Sequence, residues 1–557
     1  MLIAERIRQA LARSLNEAEI KVSLEDVSLE RPKELSHGDY ATGLALQYAK
    51  QVGIPPIKLA EKISAGLGEL SGVKSVEVVA PGFINFRLTP DAITDVLGQA
   101  IADEKAWGKN DSQKGARVMV EYTDPNPFKE FHIGHLMSNA IGESISRLVE
   151  YSGAEVKRAN YQGDVGPHVA KTIWAVKNKK VGGANWGEAY AVGNTAYEND
   201  KEAKKQIDEI NAKIYDHSDK EINDIYDAGR KASLAHFEEI YKTLGTKFDF
   251  YFFESETAPF GKRVVEEHPE TFKKSDGAIV YKGDKAKGLH TRVFVNSKGL
   301  PTYEAKELGL AKKKYDIYPY DKSIVITGNE VNEYFRVLLD AMSKVYPELA
   351  AKTVHVSHGM MRLSFGKMSS RTGDVITGES LIEELKERAT ARAKESRADD
   401  AVQLAEQIAV SAVKYQILRQ ASGKDIIFDR DRALSLEGDS GPYLQYAHAR
   451  AHAIVEKANS QGVTLKIQKG VTLEPNDVSR LVTRFPEVVL YAANELEPHL
   501  LVNYLIGLAG AFNSWYAQVH ILDGTKEAPH KVAIVDAVRA TLKNGLWLLG
   551  ISAPERM

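Results

Sequence analysis

Residues 117–162 decide the fold and read RVMVEYTDPNPFKEFHIGHLMSNAIGESISRLVEYSGAEVKRANYQ. The run RVMVEYTD is β-prone and ends at Pro125 and Pro127, which stop regular structure. HLMSNAIGESISRLVEYSG carries apolar residues at helical spacing, and Gly153 is expected to end that helix. EVKRANYQ predicts the next strand. A strand, a helix and a strand of these lengths indicate a parallel βαβ unit.

Further strands are predicted in GAIVYKG, HTRVFVNSKG, SIVITGN and TVHVSHG. Residues 110–380 therefore predict an α/β, doubly wound domain that is interrupted by other sequence. Residues from about 172 to 265 are rich in Lys, Asp, Glu and Tyr. They predict a helical insertion between the two halves of the sheet domain, after which the strands resume.

A smaller α/β domain is predicted over residues 1–95, and a helix bundle over residues 381–557. The N-terminal domain contains VKSVEVVAPGFINFRL, which predicts two strands joined by a turn at Pro81-Gly82. Asn85 and Arg87 alternate with apolar residues in the second strand, so they are expected to face outward.

Composition excludes several classes of protein. The 557 residues include no cysteine, which excludes a disulfide-stapled protein and cysteine-type zinc sites. A hydrophobic share of 43% excludes a mainly disordered chain. The net charge is −3, so a nucleic-acid partner would need localised basic surface. No uninterrupted run of about 18 apolar residues occurs, and no signal-peptide pattern opens the chain, so we expect a cytoplasmic protein without membrane contact.

The sharpest motif is His132-Ile133-Gly134-His135, between the first strand and its helix. A helix N-terminus presents free N–H donors and a positive dipole end, which favour phosphate. Gly134 lets a flat base approach the backbone, and the two histidines can donate hydrogen bonds to phosphate oxygens. Two alternatives are a coincidental pair at a helix start and half of a metal site, although a third ligand is not evident.

A second motif is FGKMSSRTG, residues 365–373, which follows the strand TVHVSHG. A lysine in a flexible loop can bring a positive charge onto a phosphate during nucleotidyl transfer. Alone, such a segment is typical of a solvated turn. The segment indicates nucleotidyl transfer only because it occurs together with the upstream histidine motif.

In this order, HIGH and KMSS resemble the two signatures of class I aminoacyl-tRNA synthetases. HGDYATGLAL, APGFINFRL, VEYTDPNPFKEFHIGHL, GPYLQYAHARAHAI and NGLWLLGISAPERM extend the resemblance to the arginyl-tRNA synthetase family over nearly the whole chain. The resemblance implies a Rossmann-like domain that binds ATP and L-arginine and forms arginyl-adenylate. It also implies transfer of the arginyl group to the 3′ terminal adenosine of tRNA(Arg), giving AMP and pyrophosphate.

The resemblance also implies roles for individual residues. The expected catalytic residues are His132, His135, Lys367 and Lys129. ATP is expected to contact His132, Gly134, His135, Lys367, Met368, Ser369 and Ser370. L-Arginine is expected to contact Glu121, Asn126, Tyr303, Glu307 and Glu330. In this assignment Glu121 and Asn126 hold the ammonium and carboxylate end, and Tyr303 and Glu307 hold the guanidinium, a planar donor fork that favours carboxylates.

For tRNA, the resemblance implies that the N-terminal domain contacts the elbow and that the bundle reads the anticodon. The candidate residues are Phe83, Asn85, Tyr443, Tyr446, Arg450 and Trp515, because aromatic rings can stack on unpaired bases. The alternative is that these rings are bundle core. Mg²⁺ is expected with ATP, no protein-bound metal is expected, and the protein is expected to be a monomer.

Three departures from the family pattern matter. Glu307 stands where the family commonly has aspartate, and NPFKEF replaces Asn-Pro-Thr-Gly-Pro. Many members place a lysine before HIGH and lack the one in the second signature, whereas this chain has both Lys129 and Lys367. We expect Lys367 to act on the adenylation transition state, with Lys129 assisting.

Rival readings are a small-molecule nucleotidyltransferase, an RNA-binding paralogue without catalysis and a synthetase for another amino acid. A dehydrogenase is disfavoured because no G-x-G-x-x-G follows the first strand.

Overall fold

The computed structural model describes residues 3–32, 34–178, 180–181, 186–364, 377–395, 398, 400–463 and 475–557. Contacts between Cα atoms divide the chain into two compact units. The first unit comprises Met1–Trp107, Arg450–Phe485 and Gly507–Thr541, and the second comprises Gly108–Ala449, Pro486–Ile506 and Leu542–Met557.

The N-terminal part of the first unit is a small α/β fold. Its elements are α1 (Ile3–Glu17), β1 (Tyr40–Thr42), α2 (Leu44–Val52), α3 (Pro56–Gly66), β2 (Val73–Val79), β3 (Phe83–Leu88) and α4 (Pro90–Ala102). The predicted hairpin is present, since β2 and β3 pair antiparallel. The prediction that Asn85 faces outward was wrong. Asn85 is only 7% exposed, in the central strand of the three, opposite Ala41 of β1 and Glu77 of β2.

The second unit contains a parallel sheet and a smaller antiparallel one. The strands are β4 (Arg117–Glu121), β5 (Glu155–Gln162), β6 (Phe250–Phe253), β7 (Phe272–Ser275), β8 (Ala278–Tyr281), β9 (Arg292–Val295), β10 (Lys322–Gly328), β11 (Thr353–His358), β12 (Met361–Leu363) and β13 (Ile426–Phe428). The parallel sheet has the order β11-β10-β4-β5-β6, which confirms the doubly wound prediction. Connections leave β4 and β10 in opposite directions, and ligands bind at such a switch point, beyond the carboxyl ends of the strands.

Helices surround the sheets and form most of the remaining chain. They are α5 (Ile133–Tyr151), α6 (Pro167–Lys177), α7 (Trp186–Asn199), α8 (Lys201–Asp216), α9 (Lys220–Leu244), α10 (Glu254–Glu267), α11 (Tyr303–Ile317), α12 (Asn332–Val345), α13 (Pro347–Lys352), α14 (Gly378–Glu395), α15 (Ala401–Leu418), α16 (Arg430–Ala433), α17 (Gly441–Ser460), α18 (Asp477–Val482), α19 (Phe485–Glu495), α20 (Pro498–Gln518) and α21 (Ala528–Leu548). Within the described ranges, every helix is too short or too polar to span a lipid bilayer.

The predicted insertion differs from the structure at its C-terminal end. Strand β6 lies inside residues 172–265 and pairs with β5, so the parallel sheet resumes earlier than the sequence pattern indicates. Strands β8 and β9, which were expected to continue that sheet, pair with β7 in a separate antiparallel sheet. A four-residue apolar run such as FYFF cannot be distinguished from a helix segment by periodicity alone.

The insertion helices have a core of their own. Apolar residues of α6, α8 and α9 pack together, including Ile173, Ile207 and Ile222. Phe128, from the loop between β4 and α5, belongs to the same cluster. The loop before the HIGH motif is therefore fixed to the insertion as well as to the sheet.

Helix α5 is buried along most of its length, because it contacts strands of the parallel sheet on one side and α15 on another. Its last turn ends at Ser152, and Gly153 follows with φ 95°, a conformation that glycine adopts without steric cost. Gly142 lies in the middle of α5, where a Cβ atom would overlap the Tyr122 ring.

We predict that Gly142→Ala lowers the free energy of unfolding of the second unit by about 2 kcal/mol, because the buried Tyr122 ring has no room to move. Gly507→Ala is the control. It places the same methyl group on α20, where no atom lies within 4 Å, and alanine favours a helix by up to about 1 kcal/mol over glycine. Thermal unfolding of both variants checks the prediction, and equal midpoints for the two would contradict it.

Candidate functional site

The HIGH motif caps its own helix. His132 is the N-cap residue of α5, and its Nδ1 accepts a hydrogen bond from the Gly134 N–H at 3.1 Å. The His135 Nδ1 accepts from the His132 N–H at 3.2 Å. The two imidazole rings are stacked with centroids 3.5 Å apart. Both histidines therefore use one ring nitrogen to satisfy the backbone of the helix end.

These hydrogen bonds define the protonation of both rings. A backbone N–H can only donate, so each Nδ1 is an acceptor without a proton, and each Nε2 carries the N–H. Burial lowers the pKa of His132, and the charge of Lys129 lowers it further. Burial, His132 and Lys129 lower the pKa of His135 well below its ordinary value. At neutral pH the motif offers two neutral N–H donors.

His358 and Glu330 complete the surroundings of the HIGH motif. His358 ends β11 in register with Gly328, the last residue of β10, and its Nδ1 lies 2.8 Å from the Gly359 carbonyl oxygen. Burial lowers the pKa of His358, as it does that of His132, and the charge of Glu330 partly opposes both shifts. Glu330 was predicted to contact arginine, and in the structure its charge acts on these histidines.

The second signature lies outside the described residues, so the structure does not test the ATP contacts predicted for Lys367, Met368, Ser369 and Ser370. After the second signature the structure is described again from Thr377, which forms an isolated antiparallel bridge with His132. The Gly378 N–H also donates to the Phe131 carbonyl oxygen at 2.7 Å. The chain thus returns to the HIGH motif immediately after the signature.

The loop NPFKEF places Asn126 and Lys129. The Asn126 Oδ1 accepts a hydrogen bond from the Gly163 N–H at 3.1 Å. Phe128 is fully buried with φ 67°, a conformation rare for a bulky residue, and its ring packs on Trp186 and Tyr226. This packing holds the strained residue in place.

Lys129 is half-buried with its ammonium group 4.9 Å from the centroid of the Tyr190 ring. Burial lowers its pKa, and the charge of Lys171 lowers it further, while Glu254 raises it.

An acidic cluster occupies the carboxyl end of β4. Glu121 ends that strand and forms a 2.7 Å ion pair with Lys314 of α11, and the side chains are 2% and 4% exposed. Asp124 follows in the loop, where it accepts a hydrogen bond from the Tyr161 N–H at 2.7 Å. Burial raises the pKa of Asp124 well above its ordinary value, and the charge of Glu121 adds to that shift.

Glu307 lies on α11 two turns before Lys314, and the Tyr334 phenol of α12 acts on its carboxyl group. Burial raises the pKa of Glu307 to about 8, with a further contribution from the Glu121 charge. The predicted arginine contacts Glu121 and Glu307 are therefore close enough to interact electrostatically.

A second buried ion pair lies beside the cluster. Glu254 is the first residue of α10 and accepts from the Lys306 ammonium group at 2.6 Å. The same ammonium group lies 5.2 Å from the centroid of the Tyr303 ring. Tyr303 is 64% exposed; partial burial raises its pKa, and the charge of Glu254 raises it further. The predicted pair Tyr303 and Glu307 does share one helix, as the i,i+4 spacing indicates.

The cluster contains more carboxyl groups than ammonium groups. Four carboxyl groups, from Glu121, Asp124, Glu254 and Glu307, interact with three ammonium groups, from Lys129, Lys306 and Lys314. A site of this composition favours a cationic ligand with several hydrogen-bond donors, such as a guanidinium.

Several of these residues were not predicted. Lys306 and Lys314 lie at i+3 and i+11 from Tyr303 on α11, so helical spacing could have identified them. The residue that directly follows a parallel strand is a candidate ligand. Glu254 follows β6 in this way, and it was not predicted because β6 was not predicted. His358 ends a predicted strand and could have been found by the same rule.

The predicted tRNA contacts are spread over several elements. Phe83 is exposed on β3, and Asn85 is buried. Tyr443 and Tyr446 are half-buried on α17, where Tyr446 lines an apolar cavity of about 60 Å³ together with Leu404 and Met557.

In the first unit, Arg450 donates to the Asn513 side chain at 2.6 Å, and its guanidinium lies 5.3 Å from the Tyr516 ring centroid. Tyr516 is exposed on α20, and its neighbour Trp515 is half-buried.

Across the described ranges, no group of three or more His, Asp or Glu side chains could hold a metal ion.

Known proteins share this architecture over the whole chain. The family model for tRNA synthetases class I (R), catalytic domain, matches residues 96–430. Models for the arginyl tRNA synthetase N terminal domain and the DALR anticodon binding domain match residues 3–88 and 444–557.

Individual relatives agree with these models. The arginine–tRNA ligase of Treponema denticola is 30% identical, with 96% of each chain covered. That of Enterococcus faecalis is 30% identical, with 99% of each covered. The solved Thermus thermophilus arginyl-tRNA synthetase has a TM-score of 0.82 at 26% identity, with 99% of each chain covered. The catalytic-domain model alone spans more than half of the sequence, and the chain belongs to the arginyl-tRNA synthetase family of class I tRNA synthetases.

Proposed function

We propose that this protein is an arginine–tRNA ligase that activates L-arginine with ATP and transfers the arginyl group to the 3′ terminal adenosine of tRNA(Arg). The observation that carries the proposal is the acidic cluster beside the HIGH helix, at the switch point of the parallel sheet. The relatives named above support the same activity.

In the activation step, the carboxylate of arginine attacks the α-phosphorus of ATP and pyrophosphate leaves. His132 and His135 supply neutral Nε2–H donors to the phosphate oxygens, so they orient the nucleotide without adding charge. The neutralising charge comes from Lys367, with Lys129 assisting, because charge develops on the phosphate oxygens in the transition state. Mg²⁺ that accompanies ATP would supply further positive charge at the phosphates.

The acidic cluster holds the arginine. Glu121 binds the α-ammonium group, with Lys314 on its other side, and Asn126 assists at the same end. Tyr303 and Glu307 hold the guanidinium. Glu330 is the fifth proposed contact of arginine, and its charge acts on His132 and His358.

In the transfer step, a ribose hydroxyl of the terminal adenosine attacks the arginyl carbonyl and AMP leaves. The elbow contact of the N-terminal domain rests on Phe83, since Asn85 is buried. Tyr443, Tyr446, Arg450 and Trp515 remain the candidates for the anticodon, and exposed Tyr516 joins them as a stacking surface. The domain boundaries, a cytoplasmic location and a monomeric state stay predictions.

The experiment that tests the activity is ATP–pyrophosphate exchange with a panel of amino acids, with and without tRNA(Arg). We expect exchange with arginine and not with the rest of the panel. Charging of tRNA(Arg) with labelled arginine is the companion measurement. Folded protein that shows neither reaction under any condition would refute the proposal.

We predict that Lys367→Ala lowers the turnover number of activation by about 100-fold or more while the KM for arginine changes less than threefold, because a charge that acts in the transition state contributes little to ground-state binding. Lys129→Ala is expected to have a smaller effect on turnover. Lys285→Ala, at an exposed position on the surface, is the control for loss of a positive charge. A large rise in KM at unchanged turnover would contradict the role of Lys367.

We also predict that Lys314→Met raises the KM for arginine at least tenfold and lowers the free energy of unfolding by about 3 kcal/mol, because Glu121 is then buried without its ammonium partner. Lys314→Arg keeps the positive charge and is expected to retain most of the affinity. Kinetics at varied arginine and at varied ATP separate the two substrates. An equal rise in both KM values would show a general loss of structure instead.

A further inference from the structure

The motif HGDY, residues 37–40, lies in the first unit and contains a buried aspartate. Asp39 is 1% exposed and immediately precedes β1. Its N–H donates to the Phe86 carbonyl oxygen at 2.7 Å, and its Oδ2 accepts from the Leu88 N–H at 2.8 Å. Both partners belong to β3, so Asp39 is bonded to the backbone of that strand at two points.

Gly38 makes this close approach possible. It has φ 98°, and a Cβ atom on it would lie 2.7 Å from the Phe86 carbonyl oxygen. Any side chain there would push the segment away from β3. The glycine and the aspartate of the motif therefore act together, because the first lets the second reach the strand.

The other carboxylate oxygen of Asp39 binds a helix. Its Oδ1 accepts a hydrogen bond from the guanidinium of Arg480, in the last turn of α18. The Arg480 side chain is 17% exposed. Separation of a buried ion pair leaves a charge without compensation away from water, so such a pair keeps its partners in one geometry. A single carboxylate thus joins β3 of the N-terminal domain to α18 of the helix bundle.

Proposed tRNA contacts lie on both sides of this ion pair. Phe83, the exposed candidate for the elbow, is the first residue of β3. Helix α18 belongs to the same compact unit as Arg450, Trp515 and Tyr516, which are candidates for the anticodon. The first unit therefore presents surfaces for two distant parts of one tRNA on a single body.

We infer that Asp39 and Arg480 are positioning residues that fix the distance between the elbow contact and the anticodon contact of tRNA(Arg). This inference rests on the proposed function. A rigid ligand held at two sites gains affinity when the sites are already spaced to match it, because the second contact then forms at a high effective concentration. When the spacing is not fixed, each contact still forms, but the first no longer favours the second.

The test compares intact tRNA(Arg) with two of its fragments, the anticodon stem-loop and tRNA(Arg) without its anticodon arm. Each fragment reaches one of the two contacts, and the intact molecule reaches both. In Arg480→Ala we expect the affinity for intact tRNA to fall about tenfold, whereas the affinity for either fragment changes less than about twofold. In charging kinetics, the KM for tRNA is expected to rise about tenfold while kcat changes less than about threefold.

A second variant guards against misfolding from an unpaired buried charge. Asp39→Asn combined with Arg480→Met removes both charges and keeps an oxygen that can accept from the Leu88 N–H. It is expected to show the same loss for intact tRNA and the same unchanged affinity for the fragments. Arg480→Lys keeps the positive charge and is expected to retain most of the affinity for intact tRNA.

The matched control is Glu104→Gln. Glu104 follows α4 and accepts from Arg539 of α21 at 2.6 Å within the first unit. Arg539 keeps Asp536 as a partner when Glu104 is changed. We expect the affinity of this variant for intact tRNA to stay within about twofold of the wild-type value. A loss equal to that of Arg480→Ala would overturn the inference, because any weakening of the unit would then have the same effect.

Two further outcomes would also overturn the inference. One is an affinity for intact tRNA that is unchanged in both Arg480→Ala and the double variant. The other is an affinity for the fragments that falls as much as the affinity for intact tRNA. Either result, with a wild-type protein that charges tRNA(Arg), leaves the proposed function intact. Wild-type protein that neither binds nor charges intact tRNA(Arg) would instead refute the proposed function.

Discussion

The ion pair between Lys314 and Glu121 is a constraint on the whole catalytic unit, because both side chains are almost completely removed from water. Charges in that environment are tolerated only when they are paired. The pair therefore fixes α11 against the carboxyl end of β4. Tyr303 and Glu307 are carried on the same helix, so their position relative to Glu121 follows from this contact.

The site has two electrostatically different ends. Around the HIGH motif, two histidines cap a helix with Nδ1 and stay neutral, so this end of the site has donors whose charge does not change near neutral pH. Around Glu307, carboxyl groups outnumber ammonium groups. This difference agrees with the proposed binding of a cationic amino acid at the acidic end and of ATP at the HIGH end.

Much of this arrangement could be predicted from the sequence. The strands around the HIGH motif, helix α5 and the shared face of Tyr303 and Glu307 follow from local periodicity, and the structure has them. Strand β6 could not be predicted, because a four-residue aromatic run between helices is too short to show strand periodicity. Glu254, which follows β6, was therefore not predicted as a site residue. The ion pairs of Lys306 and Lys314 depend on which elements meet in space, which no local pattern specifies.

The loop NPFKEF, between β4 and α5, packs closely against the insertion, as the contact of Phe128 with Gly229 shows. A Cβ atom on Gly229 of α9 would overlap the Phe128 ring, so the aromatic residue in the loop requires the glycine 101 positions later. Neither residue can change alone without a cavity or a clash. Chimeras that exchange the insertion with that of a relative should therefore transfer both residues together, and in evolution the two positions are expected to vary as a pair.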